Sequence, residues 1–211
     1  MKTDQLVQAL AADLGRPYPA MRHALAVAML AGLLGAVVIF AFAMGPRSDV
    51  GAALATWRFD WKLALVAIAC ALAFVDCARL SDPLASGLAT RLSLAIPALV
   101  LGGLLAELLL IPPAEWMSRL VGNNAAVCLI AIPLLALAPL TAGLAVMRRG
   151  APASPVQAGA AVGRLAAAVG AMIYAVHCTD DSPLFVVMWY GVATAAVMAL
   201  GALAGRFVLR W

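Results

Sequence analysis

Apolar and polar positions in this chain fall into long blocks and do not alternate. Six apolar stretches run at about 24–44, 61–80, 91–111, 125–147, 157–177 and 184–205. Each is close to the roughly twenty residues that a helix needs to cross a bilayer. The pattern predicts an all-α fold, a polytopic six-helix transmembrane bundle with short loops, with residues 24–211 as one domain. Pro97 in the third stretch and Pro133 and Pro139 in the fourth are expected to kink their helices, which neighbours in a bundle tolerate. Residues 1–23 break the pattern. Thr3 can cap a helix with Asp4 in its first turn. Leu6, Val7, Leu10 and Leu14 recur at helical spacing and form one apolar face. Gly15 and the Pro17/Pro19 pair end it. So short a helix is marginal alone in water. It either lies on the lipid headgroups or folds on a partner.

Composition agrees with a lipid solvent. Of 211 residues, 65% are hydrophobic and 11% charged, with a mean hydropathy of +1.02. Soluble domains average about 45–50% apolar and about 25% charged. The net charge of +4 does not point to nucleic acid, because the basic residues sit at segment ends. With a cytoplasmic N-terminus, the inner segments hold nine of them: Lys2, Arg16, Arg22, Arg79, Arg91, Arg148, Arg149, Arg206 and Arg210. The outer segments hold four, Arg47, Arg58, Lys62 and Arg119, so both termini are expected in the cytoplasm. Trp57, Trp61 and Trp116 then fall at outer ends, and the long first span argues against a cleaved signal peptide. Gly159-x-x-x-Gly163 and Gly201-x-x-x-Gly205 mark helix faces that backbones can approach closely. They predict packing and leave a homo-oligomer open.

The chemistry gathers in Tyr174–Tyr190, Y-A-V-H-C-T-D-D-S-P-L-F-V-V-M-W-Y, across one short connection. Cys128 and Cys178 share the outer face and are candidate sensor thiols. They could form a disulfide or hold a soft metal, and any metal would be theirs. His177, Asp180 and Asp181 form a candidate metal or polar cluster beside them. H-C-x-D-D matches no standard zinc spacing, and a polar turn around a packed cysteine is the plainer reading. Cys70 and Cys77, both in the second span, read as small buried hydrophobes. Asp76 and Arg164 lie at similar depth in two spans and are expected to pair, as intramembrane charges commonly do. Glu107, near the outer end of its span, is expected to reach water. Thr141 and Thr194 read as backbone-bonding residues. No phosphate loop, Cys-x-x-Cys or nucleophile–base arrangement is present, so neither an enzyme nor a cofactor is expected.

Taken together, A-P-A-S-P-V-Q-A-G-A at Ala151–Ala160, the Tyr174–Tyr190 stretch, the opening M-K-T-D-Q-L-V-Q-A-L-A-A-D-L and the closing L-R-W resemble the NrsF-type family. These are integral membrane negative regulators of extracytoplasmic-function sigma factors. The resemblance implies an anti-sigma factor of the bacterial inner membrane. Residues 1–23 would hold the sigma factor, and the family's paired cysteines would map onto Cys128 and Cys178. Two positions depart from the family's pattern: Arg164 stands where an apolar residue is expected, and Thr179 where a proline is usual. Two rivals come from other classes. A small transporter or channel would use the kinked spans and interior charges, though inverted halves are not visible. A membrane thiol oxidoreductase would need a reactive pair beside a partner disulfide or quinone.

Overall fold

A computed structural model describes residues 21–80, 95–150, 152 and 154–209. The proposed partner-binding face, Leu6, Val7, Leu10 and Leu14, lies outside the described residues. The elements in order are α1 (Met21–Ala43), a single turn α2 (Val50–Ala53), α3 (Trp57–Arg79), α4 (Ala95–Leu110), a 3-10 turn (Pro113–Glu115), α5 (Trp116–Val121), α6 (Ala125–Met147), α7 (Pro155–Ala175) and α8 (Pro183–Val208). The described residues contain no strand. Among the described residues five helices, α1, α3, α6, α7 and α8, are long and apolar enough to cross a membrane.

The third expected span differs from the other five. Its described helix is α4, 16 residues long, followed by a 118° bend into α5. The Pro112-Pro113 pair sets that bend, because Pro113 has no N–H with which to continue the helix. α4 and α5 together count as a sixth span only across the break. Pro97 lies near the start of the described part of α4. Pro133 and Pro139 sit inside α6, which nonetheless runs as one helix. The second span also begins earlier than its hydropathy suggests. α3 starts at Trp57, so Arg58 and Lys62 are helical residues and not loop charges.

α7 is the axis of the bundle. Two thirds of it (67%) is buried, against 28 to 39% of the other four spans. It packs on α8 most extensively, then on α6 and α3. Its sequence explains the position: P-V-Q-A-G-A-A-V-G-R-L-A-A-A-V-G-A-M-I-Y-A is mostly Gly and Ala, and small side chains let backbones come close. Ser154 caps its start by accepting from the Gln157 N–H at 3.4 Å, with Pro155 at the first helical position. The two glycine motifs face each other. A Cβ at Gly159 would collide with the Gly201 carbonyl and come within 2.9 Å of the Gly205 Cα, and one at Gly163 would meet the Val197 carbonyl oxygen at 2.7 Å. A Cβ at Gly32 of α1 would likewise strike the Pro139 backbone of α6. α4 is fastened to α3 by Trp61, whose indole Nε1 donates to the Leu99 carbonyl at 3.0 Å while its ring fills the notch at Gly103. Large apolar side chains such as Leu30, Leu34, Phe42, Leu109, Leu203 and Phe207 point outward, as on a lipid-facing surface.

Candidate functional site

The connection 176–182 between α7 and α8 collects the ends of four other segments. The helix α7 closes with the Cys178 N–H on the Tyr174 carbonyl at 3.0 Å, and the polar groups around it reach different segments. His177 Nδ1 donates to the Gly45 carbonyl at 2.8 Å. The Arg47 N–H donates to the Val176 carbonyl at 3.1 Å, so the α1–α2 loop is pinned from two sides. Asp180 Oδ2 accepts from the Asn123 N–H at 3.0 Å, the Asn124 N–H at 2.8 Å and the Asn124 side-chain amide at 2.8 Å. Ser182 donates to Glu107 Oε1 of α4 at 2.9 Å. Two glycines shape the loops that grip this connection. Gly45 and Gly122 have φ of +69° and +58°, conformations that side-chain-bearing residues rarely adopt.

The centre of the network is Asp181. Its carboxylate accepts from Lys62 Nζ and, at 2.8 Å, from Arg47 Nη1. Lys62 Nζ also donates to the Cys178 carbonyl at 2.8 Å, and Arg47 Nη1 reaches the same oxygen at 3.2 Å. Lys62 is fully buried and stands over the Phe59 ring, 5.0 Å from its centroid. A buried ammonium is accommodated only with charge and hydrogen-bond partners, and it has both. Arg47 also pairs with Asp49 at 2.7 Å. That contact holds the Asp49 carboxyl at about 2, below its ordinary 3.8. The Asp49 bond and the Asp181 charge raise the Arg47 guanidinium further above its ordinary range, against the opposing effect of burial.

Glu107 does not reach water, contrary to expectation. It is fully buried, with Arg58 Nε at 2.7 Å, Ser182 at 2.9 Å and Arg119 at 3.7 Å. An acid in an otherwise apolar segment was itself the signal, since such residues usually have a partner. Arg47, Arg58 and Lys62 enter the sequence argument only as topology charges. Which acid each would find depends on loop geometry that spacing does not show.

Cys128 and Cys178 are both buried, both free, and members of one buried cluster with Tyr174, Phe185 and Tyr190. Cys128 lies one turn into α6, its N–H on the Asn124 carbonyl at 2.8 Å. Cys178 Sγ lies 3.7 Å from the Asp180 carbonyl oxygen. Burial pushes the Cys178 thiol above its ordinary 9.0, opposed by the nearby Lys62 charge. His177, Asp180 and Asp181 point to three different sets of partners, and Asp181 is bonded to two cations. Among the described residues no group of three or more His, Cys, Asp or Glu is arranged to hold a metal ion. Cys77 is buried and Cys70 partly so, both as free thiols.

A second charged pair lies in the other half of α3 and α7. Arg164 Nη2 is 2.7 Å from Asp76 Oδ2. That partner accounts for a basic residue where the span would otherwise be apolar. The pair lines a cavity of about 460 Å³ between α3, α4, α7 and α8, whose other walls are almost wholly apolar. Thr141 Oγ1 donates to the Leu137 and Ala138 carbonyls at 3.0 Å each, satisfied within its own helix.

Comparison with known proteins adds a full-length relationship. A family model described as NrsF, Negative regulator of sigma F, matches residues 10–211. The chain is 33% identical over 215 residues to a probable anti-sigma-F factor NrsF of Azospira oryzae, covering all of both chains. It is 32% identical over 219 residues to the anti-sigma-F factor NrsF of Caulobacter vibrioides, again covering all of both. No solved structure matches the chain.

Proposed function

We propose, because the chain belongs to the NrsF family of negative regulators of sigma F, that it is a membrane anti-sigma factor whose partner is an extracytoplasmic-function-type sigma factor. The observation that carries this reading is the end-to-end match to two proteins named anti-sigma-F factor. In the proposed mechanism the protein sits in the bacterial inner membrane with both termini in the cytoplasm. Residues 1–23 hold the sigma factor away from RNA polymerase, with Leu6, Val7, Leu10 and Leu14 docked in a groove on its surface. Metal or oxidative stress acts on Cys128 and Cys178 from the periplasmic side.

The geometry supports the proposed input in a specific way. Cys178 lies on the connection that fastens the α1–α2 loop, α3, α4 and the α5–α6 loop to α7. A covalent or coordination change at its sulfur would disturb the carbonyl that Lys62 and Arg47 share. The bundle then has two arrangements, and the sigma factor must bind one of them better for the signal to pass.

A regulon reporter tests the reading in cells carrying wild type, a deletion, or Cys128→Ser with Cys178→Ser, with and without cadmium or an oxidant. Deletion should raise expression constitutively. Wild type should respond to stress, and the double variant should stay repressed. A silent regulon after deletion overturns the anti-sigma role. An unchanged response in the double variant overturns the thiol input alone. Leu6→Asp with Leu10→Asp should abolish sigma-factor capture in a pull-down, and retained capture overturns the docking face.

A further inference from the structure

The cavity beside the Asp76–Arg164 pair is a slot with two unlike ends. Its walls include Leu65 and Leu72 of α3, Val100 of α4, Ala168 of α7, and Val187 and Met198 of α8. The only charged side chains that line it are Asp76 and Arg164, at one end. From Leu65 to Asp76 the α3 wall runs about 16 Å, at about 1.5 Å per residue. That is close to one leaflet, half of the roughly 30 Å hydrocarbon core. The volume of about 460 Å³ lies within the range of about 300–1,000 Å³ found for ligand sites. The slot opens sideways. α4 packs on α3 and on the first turn of α8, Pro183–Phe185, and has little contact with the rest of α8. Pro97 on α4 and Gly191 and Ala195 on α8 border this gap and are exposed on the outside of the bundle. The charged end is not closed on itself. Asp76 accepts from Nη2 of Arg164, one of five N–H groups on that guanidinium, and the two side chains stay 30% and 39% exposed. Arg79 follows Asp76 by three residues, on the same face of α3 and one turn nearer the helix end. It forms no salt bridge among the described residues.

We infer that this slot binds one acyl chain of an anionic phospholipid, whose phosphate lies on Arg164 and Arg79. An empty apolar slot forfeits dispersion contacts along its walls. A lipid tail that enters from the side restores them and never leaves an apolar medium. The slot is about as long as the tail of one leaflet, so the headgroup stops at the charged end. Two cations against one carboxylate leave that end positive. It therefore favours a phosphate without a balancing ammonium, as basic pockets between spans do on the cytoplasmic side of a membrane. The bound tail fills the space between α4 and α8. In the orientation proposed above, the lipid comes from the inner leaflet. That detail rests on the proposed topology, whereas the site itself does not.

The test is native mass spectrometry of the full chain in detergent, with phosphatidylglycerol and phosphatidylcholine of the same chains added together. Wild type should retain one phosphatidylglycerol in preference to phosphatidylcholine. Arg79→Gln should cut that preference about fivefold, which corresponds to the roughly 1 kcal/mol that one basic residue contributes toward an anionic lipid. Ala69 lines the slot from α3 and Ala195 from α8. Ala69→Phe should fill the slot and abolish retention, and Ala195→Phe should do the same from the opposite wall if the first variant does not fold. Glycerol phosphate, a headgroup without tails, should not displace the lipid. No retained lipid, or equal retention of both lipids, overturns the inference. So does full retention in a folded slot-filling variant, or an unchanged preference in Arg79→Gln. Displacement by glycerol phosphate would reveal a site for free phosphate and overturns the acyl-chain assignment. Detergent has no leaflets, so failure of the proposed topology or of the sigma-factor reading leaves this result untouched.

Discussion

The ammonium of Lys62 donates to the backbone carbonyl of Cys178 at 2.8 Å, from a side chain with no exposure to solvent. The two residues are 116 positions apart, and the bond joins the first turns of α3 to the turn that follows α7. Asp181 completes the arrangement as the shared counter-charge.

The two ends of this ion pair are not equivalent. Asp181→Ala leaves Lys62 buried without its carboxylate, and breaking a buried pair in that way costs about 3–5 kcal/mol. Lys62→Met leaves Asp181 with Arg47 at 2.8 Å, and Arg47 also remains on the Cys178 carbonyl. The expected order of thermal stability in detergent is therefore wild type, then Lys62→Met, then Asp181→Ala well below both. Equal losses would mean that Arg47 cannot replace Lys62.

Glycine replacements separate the seam from the lipid face. Gly159→Val and Gly201→Val each force a side chain into the facing backbone, and overpacking costs typically about 1–3 kcal/mol or more. Gly191→Ala meets no atom within 4 Å and should be neutral or slightly stabilising. Thermal unfolding of the three variants checks both halves.

These glycines show what was legible in advance. Small residues four apart announce a close helix contact whatever the fold, so close packing of α7 and of α8 could be expected from spacing, but not that each would pack on the other. The spans were legible for the same reason, because twenty apolar residues have one economical conformation in lipid. The network around Asp181 was not. Arg47 and Lys62 look like any charges near a span's end, and nothing local indicates that segments more than a hundred residues apart meet. Glu107 was misplaced because its partner Ser182 arrives from across the bundle.

The Asp76–Arg164 contact at 2.7 Å predicts a charge-reversal rescue. Asp76→Arg and Arg164→Asp should each lower the amount of folded protein in the membrane, and the double reversal should restore most of it. If the double variant accumulates no better than either single one, each side chain is accommodated separately, for example by reaching toward the headgroups.

Two groups outside the spans each add a pH-dependent part to the stability. Asp49 has a folded-state value lowered to about 2 from 3.8, so its contribution is present above about 4 and is lost as pH falls toward 2. Cys178 has a folded-state value raised above 9.0 by burial. Its neutral form is favoured in the folded state, so its contribution is complete below 9.0 and is lost as pH rises beyond it. Asp49→Asn should flatten the acid limb of a melting-temperature profile. Cys178→Ser should remove the part of the alkaline limb that begins near 9.

The glycine ridges of α7 and α8 also bear on how this molecule meets its neighbours in a crowded bilayer. Each ridge has its counterpart inside the same chain, and Gly159, Gly163, Gly201 and Gly205 are covered by one another's backbones. Neither ridge is available to a second copy. What remains on the outside is a coat of Leu, Val and Phe, which lipid tails solvate as well as another protein would. The strongest adhesive motif in the sequence is thus closed inward, and a two-copy assembly would have to be sought elsewhere on the surface.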